Sequence, residues 1–229
     1  MRILYAFASR SRPIKFIKCI DNIHSNSRTT DFIISAALDR DDASMNNEAM
    51  IQKLSAYDKL NVIWGTSKNK VDAINRAMAN NPQFDILVNM SDDMLFIKEG
   101  FDEIIIADMV RNFPDTDGVL HYDDGNQKSN VMTLTICGRE YYKRFNYIYH
   151  PDYISLFCDD EQTKVAKALH KYKYMGDGFC IFKHLHPAWG LSPMDDQYYK
   201  TEDRKLWEKD EQTFLRRQRN NFDLPYTPQ

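Results

Sequence analysis

The chain is predicted to be an α/β protein, with a mostly parallel sheet covered by helices and a C-terminal helical extension. Three observations predict this. Short β-propensity runs alternate with segments of helical periodicity as far as Asn89. Polar and acidic residues gather just past those runs, as Ser9-Arg10-Ser11-Arg12, Asp39-Arg40-Asp41-Asp42 and Ser91-Asp92-Asp93. The 229 residues are 43% hydrophobic, enough to bury one large core but not two full domains.

Ile3 to Ala8 reads as a first strand, and the polar loop after it leads to Pro13, whose fixed φ suits the first turn of a helix. Ile14, Ile17, Ile20 and Ile23 recur at three-residue steps, which places a drifting apolar stripe on a helix from Pro13 to His24. Asp31 to Leu38 is the second predicted strand. Asn46 to Tyr57 follows as a helix with Met50, Ile51 and Leu54 on one side, then Leu60 to Trp64 as a third strand ending at Gly65. The segment TSKNKVDAINRAMAN carries Val71, Ile74 and Met78 at helical spacing, and Asp85 to Asn89 supplies the fourth strand. Strands alternating with helices argue for right-handed crossovers in a parallel sheet.

After Asp93 the pattern changes. Phe101 to Phe113 is a helix with Ile104, Ile105, Met109 and Val110 as its apolar positions, and Gly118 to Tyr122 and Val131 to Cys137 are strands around the polar loop DDGNQKSN. The Tyr- and Arg-rich stretch from Gly138 to Tyr149 is assigned to packing at the sheet's rim. Asp159 to Tyr172 is a helix with Val165 and Leu169 inside, Phe179 to Phe182 a late strand, and His184, His186, Pro187 and Trp189 a compact turn. From Asp195 the chain is strongly charged, with Trp207, Phe214 and Phe222 as sparse anchors. This predicts one C-terminal helix on the main body and a loose tail, LPYTPQ. The expected organisation is a domain over 1–194 with an extension over 195–229 packed on it.

Composition narrows the function classes. A net charge of −3 with Lys and Arg spread throughout gives no basic footprint for nucleic acid. Cys19, Cys137, Cys158 and Cys180 are widely spaced and make no C-x-x-C pair, so neither a zinc site nor a disulfide framework is expected. A reducing, cytoplasmic setting is the default expectation. The start, MRILYAFASRSRP, has too few apolar residues to predict a signal peptide, and no stretch approaches a membrane span, so any membrane contact is expected to be peripheral.

The order of FASRSRP, LDRDD, GTSKNKVDAIN, VNMSDDM and CDDEQT resembles the Rossmann-like GT-A fold of nucleotide-sugar glycosyltransferases, family 2 in particular, from Ile3 to about Trp189. The resemblance implies transfer of a sugar from a nucleotide-sugar donor, expected to be UDP-linked, to a hydroxyl on a glycan or other acceptor. It further implies inversion and a divalent cation, Mn²⁺ or Mg²⁺.

Residue by residue, it assigns Ala8, Ser9 and Arg12 to the nucleotide pocket and Asp39 to the base. A carboxylate accepts from uracil or guanine N–H groups, and Arg with loop N–H groups suits a diphosphate. Lys70 and Asn75 match positions near the nucleotide and sugar, with Lys68 an alternative to Lys70. Local chemistry also allows the lysines to be solvated beside a helix cap at Ser67 or Asn69. Ser91-Asp92-Asp93 stands where the family writes Asp-x-Asp: Asp93 would bind the cation and Asp92 would orient the ribose or the metal's water. Ser91 is the departure. Asp160 corresponds to the second acid of the family's Glu-Asp pair, the general base on the acceptor hydroxyl, although acids also suit the first turn of any helix. His184 and His186 match a late metal ligand, with the choice of ring left open.

Two other classes compete. A nucleotidyltransferase would need a glycine-rich first loop, which FASRSRP lacks, and a nucleotide-sugar-binding module without catalysis would keep the same pocket. The aromatic stretch YYKRFNYIYHPDY offers acceptor-stacking rings, with core packing as the competing role for most of its tyrosines.

Overall fold

Ile3, Tyr5 and Phe7 alternate with Leu4 and Ala6 along the first strand, and all five are buried. That strand therefore has a core on each face. In the computed structural model, which describes residues 1–80, 82–176 and 178–225, the chain begins β1 (Ile3–Ala8), α1 (Pro13–Asn26), β2 (Phe32–Asp39), α2 (Glu48–Leu54), β3 (Leu60–Gly65), α3 (Lys70–Arg76) and β4 (Ile86–Met90). There follow β5 (Met94–Phe96), α4 (Phe101–Asn112), β6 (Val119–His121), β7 (Thr135–Gly138), α5 (Arg139–Lys143), α6 (Cys158–Ala168), β8 (Tyr172–Tyr174), β9 (Phe182–His184), α7 (Asp196–Thr201) and α8 (Arg204–Arg219).

A seven-stranded sheet runs β3-β2-β1-β4-β7-β6-β8, and β5 pairs with β9 in a separate ribbon. Strands β1 to β4 are mutually parallel, β7 is antiparallel to β4 and to β6, and β8 runs parallel to β6. On one face Tyr5, Phe7 and Ile34 pack with Phe16 and Ile20 of α1 and Phe101 and Ile105 of α4. On the other, Leu4, Ala6 and Leu87 pack with Val71 and Ile74 of α3, Val165 of α6 and Phe214 of α8.

The expected helices form, with corrections that have geometric causes. Ile14 is 84% exposed, whereas Phe16, Ile17, Cys19, Ile20 and Ile23 are buried. Steps of three residues fall short of a full turn, so the stripe drifts and its first member leaves the core face. Ile51 and Val110, each one position from another apolar residue and so about 100° round the helix from it, also end up exposed. The helix expected to reach Tyr172 stops at Ala168, because His170 takes a left-handed conformation at φ 56°, and Tyr172 begins β8 instead. The late strand starts at Phe182 rather than Phe179.

The C-terminal segment is two helices rather than one, divided where Asp203 accepts from the Lys205 N–H as the cap of α8. Helix α8 is bound into the main body. Arg217 makes a buried, bidentate pair with Glu161 of α6, Nε to Oε2 at 2.7 Å and Nη2 to Oε1 at 2.8 Å, and Phe214 and Phe222 join the second core. Trp207 remains 44% exposed, its ring edge against Phe157. Of the tail LPYTPQ, residues 226–229 lie outside the described residues. The four cysteines are free thiols, and among the described residues no helix is long and apolar enough to cross a membrane.

Candidate functional site

The register of the parallel strands decides where the acids meet. Ala8 pairs with Ala37 and Phe7 with Met90, so Ser9, Asp39 and Asp92 emerge together at the carboxyl ends of β1, β2 and β4. Such ends are where open α/β sheets bind ligands. A cleft of about 680 Å³ opens there, lined by Ala8, Ser9, Arg12, Asp39, Lys70 and the Ser91-Asp92-Asp93 run.

Much of this polarity is already internally paired. Ser9 Oγ donates to Asp92 Oδ2 at 2.6 Å and Arg12 Nη1 to Asp92 Oδ1 at 3.0 Å. Burial nonetheless keeps the Asp92 carboxyl above its ordinary value. Asp39 is also buried. Its Oδ1 accepts from Ser67 Oγ at 2.7 Å and Arg76 Nη2 at 2.8 Å, and its Oδ2 from Arg10 Nη1 at 2.8 Å. Burial pushes its carboxyl up, but Ser67, Arg76 and Arg10 outweigh it, so Asp39 stays ionised. Gly65 makes room for this, because a Cβ there would collide with the Arg76 guanidinium.

The densest group lies across the cleft. Strand β9 pairs antiparallel with β5 so that His184 faces Met94, and the Leu185 N–H donates to the Asp93 carbonyl at 2.7 Å. His184 Nε2 thereby sits 3.5 Å from Asp93 Oδ1. The ligand atoms of Asp93, His184 and His186 all lie within 4.8 Å of one another. Both rings serve the same spot, with centroids 5.0 Å apart.

Electrostatics ties these groups together. Burial lowers the His184 imidazole, but Asp124 and Asp93 overturn it and raise its pKa to about 9. Asp93 is held well below the usual carboxylate range because His184 outweighs the cost of burial. His186 is pushed down to about 4, first by burial and then by the charge on His184. Asp93 Oδ1 and His184 Nδ1 are nevertheless buried atoms without a hydrogen-bond partner. Such atoms are costly unless something satisfies them, and a carboxylate with two imidazoles is a donor set that fits a divalent cation.

Two of the residues expected at the site lie off the cleft. Asn75 does not line it: its Nδ2 donates to the Tyr149 carbonyl at 2.7 Å and its Oδ1 accepts from Ile148 N at 2.8 Å. That amide fastens α3 to the loop before α6. In the first turn of α6, Asp159 lines the cleft and Asp160 does not. Burial and the neighbouring Asp159 raise the Asp160 carboxyl to about 6.

Lys68 and Lys70 both line the cleft and are exposed. From the aromatic stretch YYKRFNYIYHPDY only Tyr149 reaches the cleft. Tyr141, Tyr142 and Tyr147 surround a separate apolar cavity of about 30 Å³.

Sequence reasoning missed Asp124, Glu202 and the cleft wall after His186. Asp124 looked like part of a polar loop, yet it is buried, accepting from Gln127 N at 2.6 Å and Thr133 Oγ1 at 3.0 Å, with Oδ2 3.8 Å from His184 Nδ1. The doublet Asp123-Asp124 directly after an apolar run was a usable signal, the same one that marked Asp92-Asp93. Glu202 carried none.

No protein-family model and no curated protein sequence matches the chain. Solved structures do. The mannosyltransferase PcManGT from Pyrobaculum calidifontis, in complex with GDP-Man and Mn²⁺, superposes with a TM-score of 0.69 at 13% identity over 99% of this chain and 66% of that one. S. aureus TarS 1–349 superposes with a TM-score of 0.61 at 11% identity, over 83% of this chain and 63% of its own. The same protein in complex with UDP-GlcNAc gives a TM-score of 0.60 at 13% identity, over 94% and 72%. The chain spans about two thirds of the length of these proteins, 66% and 63% for the first two. Identities this low speak to architecture alone. By its fold the chain is a GT-A-like α/β protein, similar to nucleotide-sugar glycosyltransferases.

Proposed function

We propose that the chain transfers a sugar from a nucleotide-sugar donor, UDP-linked, to an acceptor hydroxyl, with inversion and with a divalent cation. The observation that carries this reading is the convergence of Asp93, His184 and His186 within 4.8 Å in a cleft at the carboxyl ends of the strands. The GT-A-like fold supports it, as does the similarity to a chain in complex with GDP-Man and Mn²⁺.

Asp39 accepts from the nucleobase, sharing oxygens that Arg10, Arg76 and Ser67 already hold in place. Ser9 and Arg12 fix Asp92 beside the ribose position, and Lys70 offers its charge to the diphosphate. Asp93 and His184 are the principal cation ligands. His184 has Nε2 toward Asp93 at 3.5 Å and Nδ1 toward Asp124 at 3.8 Å, the latter a charge contact beyond hydrogen-bond distance. His186 is built differently, since its Nδ1 accepts from Ala188 N at 3.3 Å and the neutral ring then carries its proton on Nε2. It must give up that bond, or that proton, to ligate.

Asp93, His184 and His186 would hold a divalent cation, which would supply positive charge to the departing diphosphate. The mixed imidazole and carboxylate set favours Mn²⁺ over Mg²⁺, which keeps to oxygen ligands. The acceptor oxygen bonds to the anomeric carbon as that carbon's bond to the donor phosphate oxygen breaks, and the electron pair leaves with the diphosphate. The acceptor proton passes to a carboxylate of α6. The raised pKa of Asp160 suits a base, but position favours Asp159, and reach takes precedence over tuning. Asp159 is therefore assigned the role.

The test is thermal-shift binding of UDP-, GDP-, CMP- and dTDP-linked sugars with and without Mn²⁺, since a ligand specific to the folded state raises its melting temperature. A Mn²⁺-dependent rise with one nucleotide supports the reading and identifies the donor, and no rise with any of them refutes it. A rise without transfer to any acceptor would leave a binding module.

A further inference from the structure

Helix α7, its C-cap and the turn at Pro187–Trp189 line one side of the cleft with side chains that the donor does not account for. Trp189, Tyr198 and Glu202 line the same cleft as Asp159 and the Asp93-His184-His186 group. Trp189 is 47% exposed, an unusual position for a large indole on a polar surface. Tyr198 packs its ring edge on His186, centroids 5.5 Å apart, and so ties α7 to the proposed cation ligands.

Glu202 is a half-buried carboxylate at the C-terminal cap of α7. No hydrogen-bond donor among the described residues reaches it. Burial raises its pKa, Asp159 and Asp93 push in the same direction, and Lys70 and His184 oppose them without contact. A carboxylate accepts only, so one left half-buried among other acids is stabilised by a ligand rich in O–H donors.

The position of Glu202 is fixed from both ends of its short helix. At the start, Asp195 accepts from Arg12 and from Lys15 Nζ at 2.7 Å. At the end, the Thr201 carbonyl accepts from Ser155 Oγ at 2.8 Å. Glu202 is thus presented to the cleft by a braced backbone rather than by a free tail.

We propose that Trp189, Tyr198 and Glu202 form the acceptor subsite and that its occupant is a pyranose ring of a glycan. The inference rests on the transferase reading and adds to it the class of acceptor. A sugar ring has C–H groups on its face and O–H donors round its rim. The exposed indole matches the first and Glu202 the second. The hydroxyl that reacts belongs to this ring and meets Asp159, which lines the same cleft. A second, open groove lined by Tyr199, Asp196 and Asp203 shares Lys200 and Leu206 with the cleft, and the remainder of the glycan leaves along it.

The experiment is binding of the full chain, saturated with Mn²⁺ and UDP or GDP, to an array of immobilised mono- and oligosaccharides of glucose, galactose, mannose and their N-acetylated forms. Wild type is compared with Trp189→Ala and Glu202→Ala. Thermal shift of each variant with the donor serves as the control for folding and for the donor pocket. The expected result is binding of a subset of glycans by wild type and a loss of about tenfold or more in each variant, with the donor-induced shift retained. Unchanged glycan binding in both variants, or a wild type that shifts with donor yet binds no glycan, overturns the subsite. Glycan binding that depends on Trp189 and Glu202 without any donor shift keeps the subsite and rejects the transferase reading instead.

Discussion

Arg12 grips Asp195 with two charge-assisted hydrogen bonds, Nε to Oδ2 at 2.9 Å and Nη2 to Oδ1 at 2.7 Å, across a sequence separation of 183 residues. Its remaining nitrogen donates to Asp92 Oδ1 at 3.0 Å. One guanidinium thereby joins the loop after β1, the acids after β4 and the N-cap of α7.

Asp195→Asn should keep the helix cap to the Tyr198 N–H and weaken the clasp, lowering stability at pH 7 by about 1 kcal/mol. Burial pushes the Asp195 carboxyl up, but Arg12 and Lys15 outweigh it and hold the group well below the usual range. A depressed carboxylate stabilises the fold fully above its unfolded pKa of about 4, and the gain is lost as pH falls through the folded value. Melting temperatures of wild type and variant should therefore converge on acidification. A gap that stayed constant down to pH of about 3 would mean that the ion pairs contribute nothing.

His184→Ala should abolish the Mn²⁺-dependent part of the donor-induced thermal shift, whereas His186→Ala should weaken it by a smaller factor, because only His184 has a carboxylate behind its second nitrogen. EDTA should mimic the first variant in wild type. Equal losses from the two substitutions would contradict the unequal roles assigned to the rings.

Asp159→Asn should reduce transfer by about 10²-fold or more with donor binding retained, and Asp160→Asn should leave turnover near normal. The second variant has its own stability signature. The folded pKa of Asp160, about 6, lies above that of the unfolded chain, so stability falls as pH rises from about 4 to about 6 and then levels. Asn removes that fall and should raise the melting temperature at pH 7. Loss of transfer in Asp160→Asn alone would return the base to Asp160.

Asp210 is fully buried and accepts from three consecutive backbone N–H groups, of Ile154 at 2.9 Å, Ser155 at 2.7 Å and Leu156 at 2.8 Å. These residues line the cleft. Asp210→Ala strands the three donors and should cost about 3 kcal/mol or more in urea unfolding. A cost below about 1 kcal/mol would show that α8 does not support that wall.

Much of the architecture was legible because it is written in short-range periodicity. β1 was read at its observed bounds, Ile3–Ala8, and α1 from its observed start at Pro13, since a short apolar run and a helix-starting proline are local signals. A three-residue apolar run carries too little pattern to mark a strand, so β5, only Met94–Phe96, passed as a resumption of apolar residues. Among the site residues, the doublet Asp92-Asp93 stood out because acids interrupt an apolar run. Asn75 was placed by a motif position, which says nothing about the backbone its amide meets, here that of Ile148 and Tyr149.

The sequence alone determined the alternation of strands and helices as far as β4 and the placing of acids at strand ends, since each depends on neighbours within a few residues. Tertiary structure decided the rest. His184 lies beside Asp93 because β9 pairs with β5 in a particular register, Glu202 faces the cleft because α7 is clasped by Arg12, and Asp159 rather than Asp160 lines it because of how α6 docks. Each of these is a pairing between distant segments, fixed by burial and hydrogen bonding that exist only once the sheet has formed.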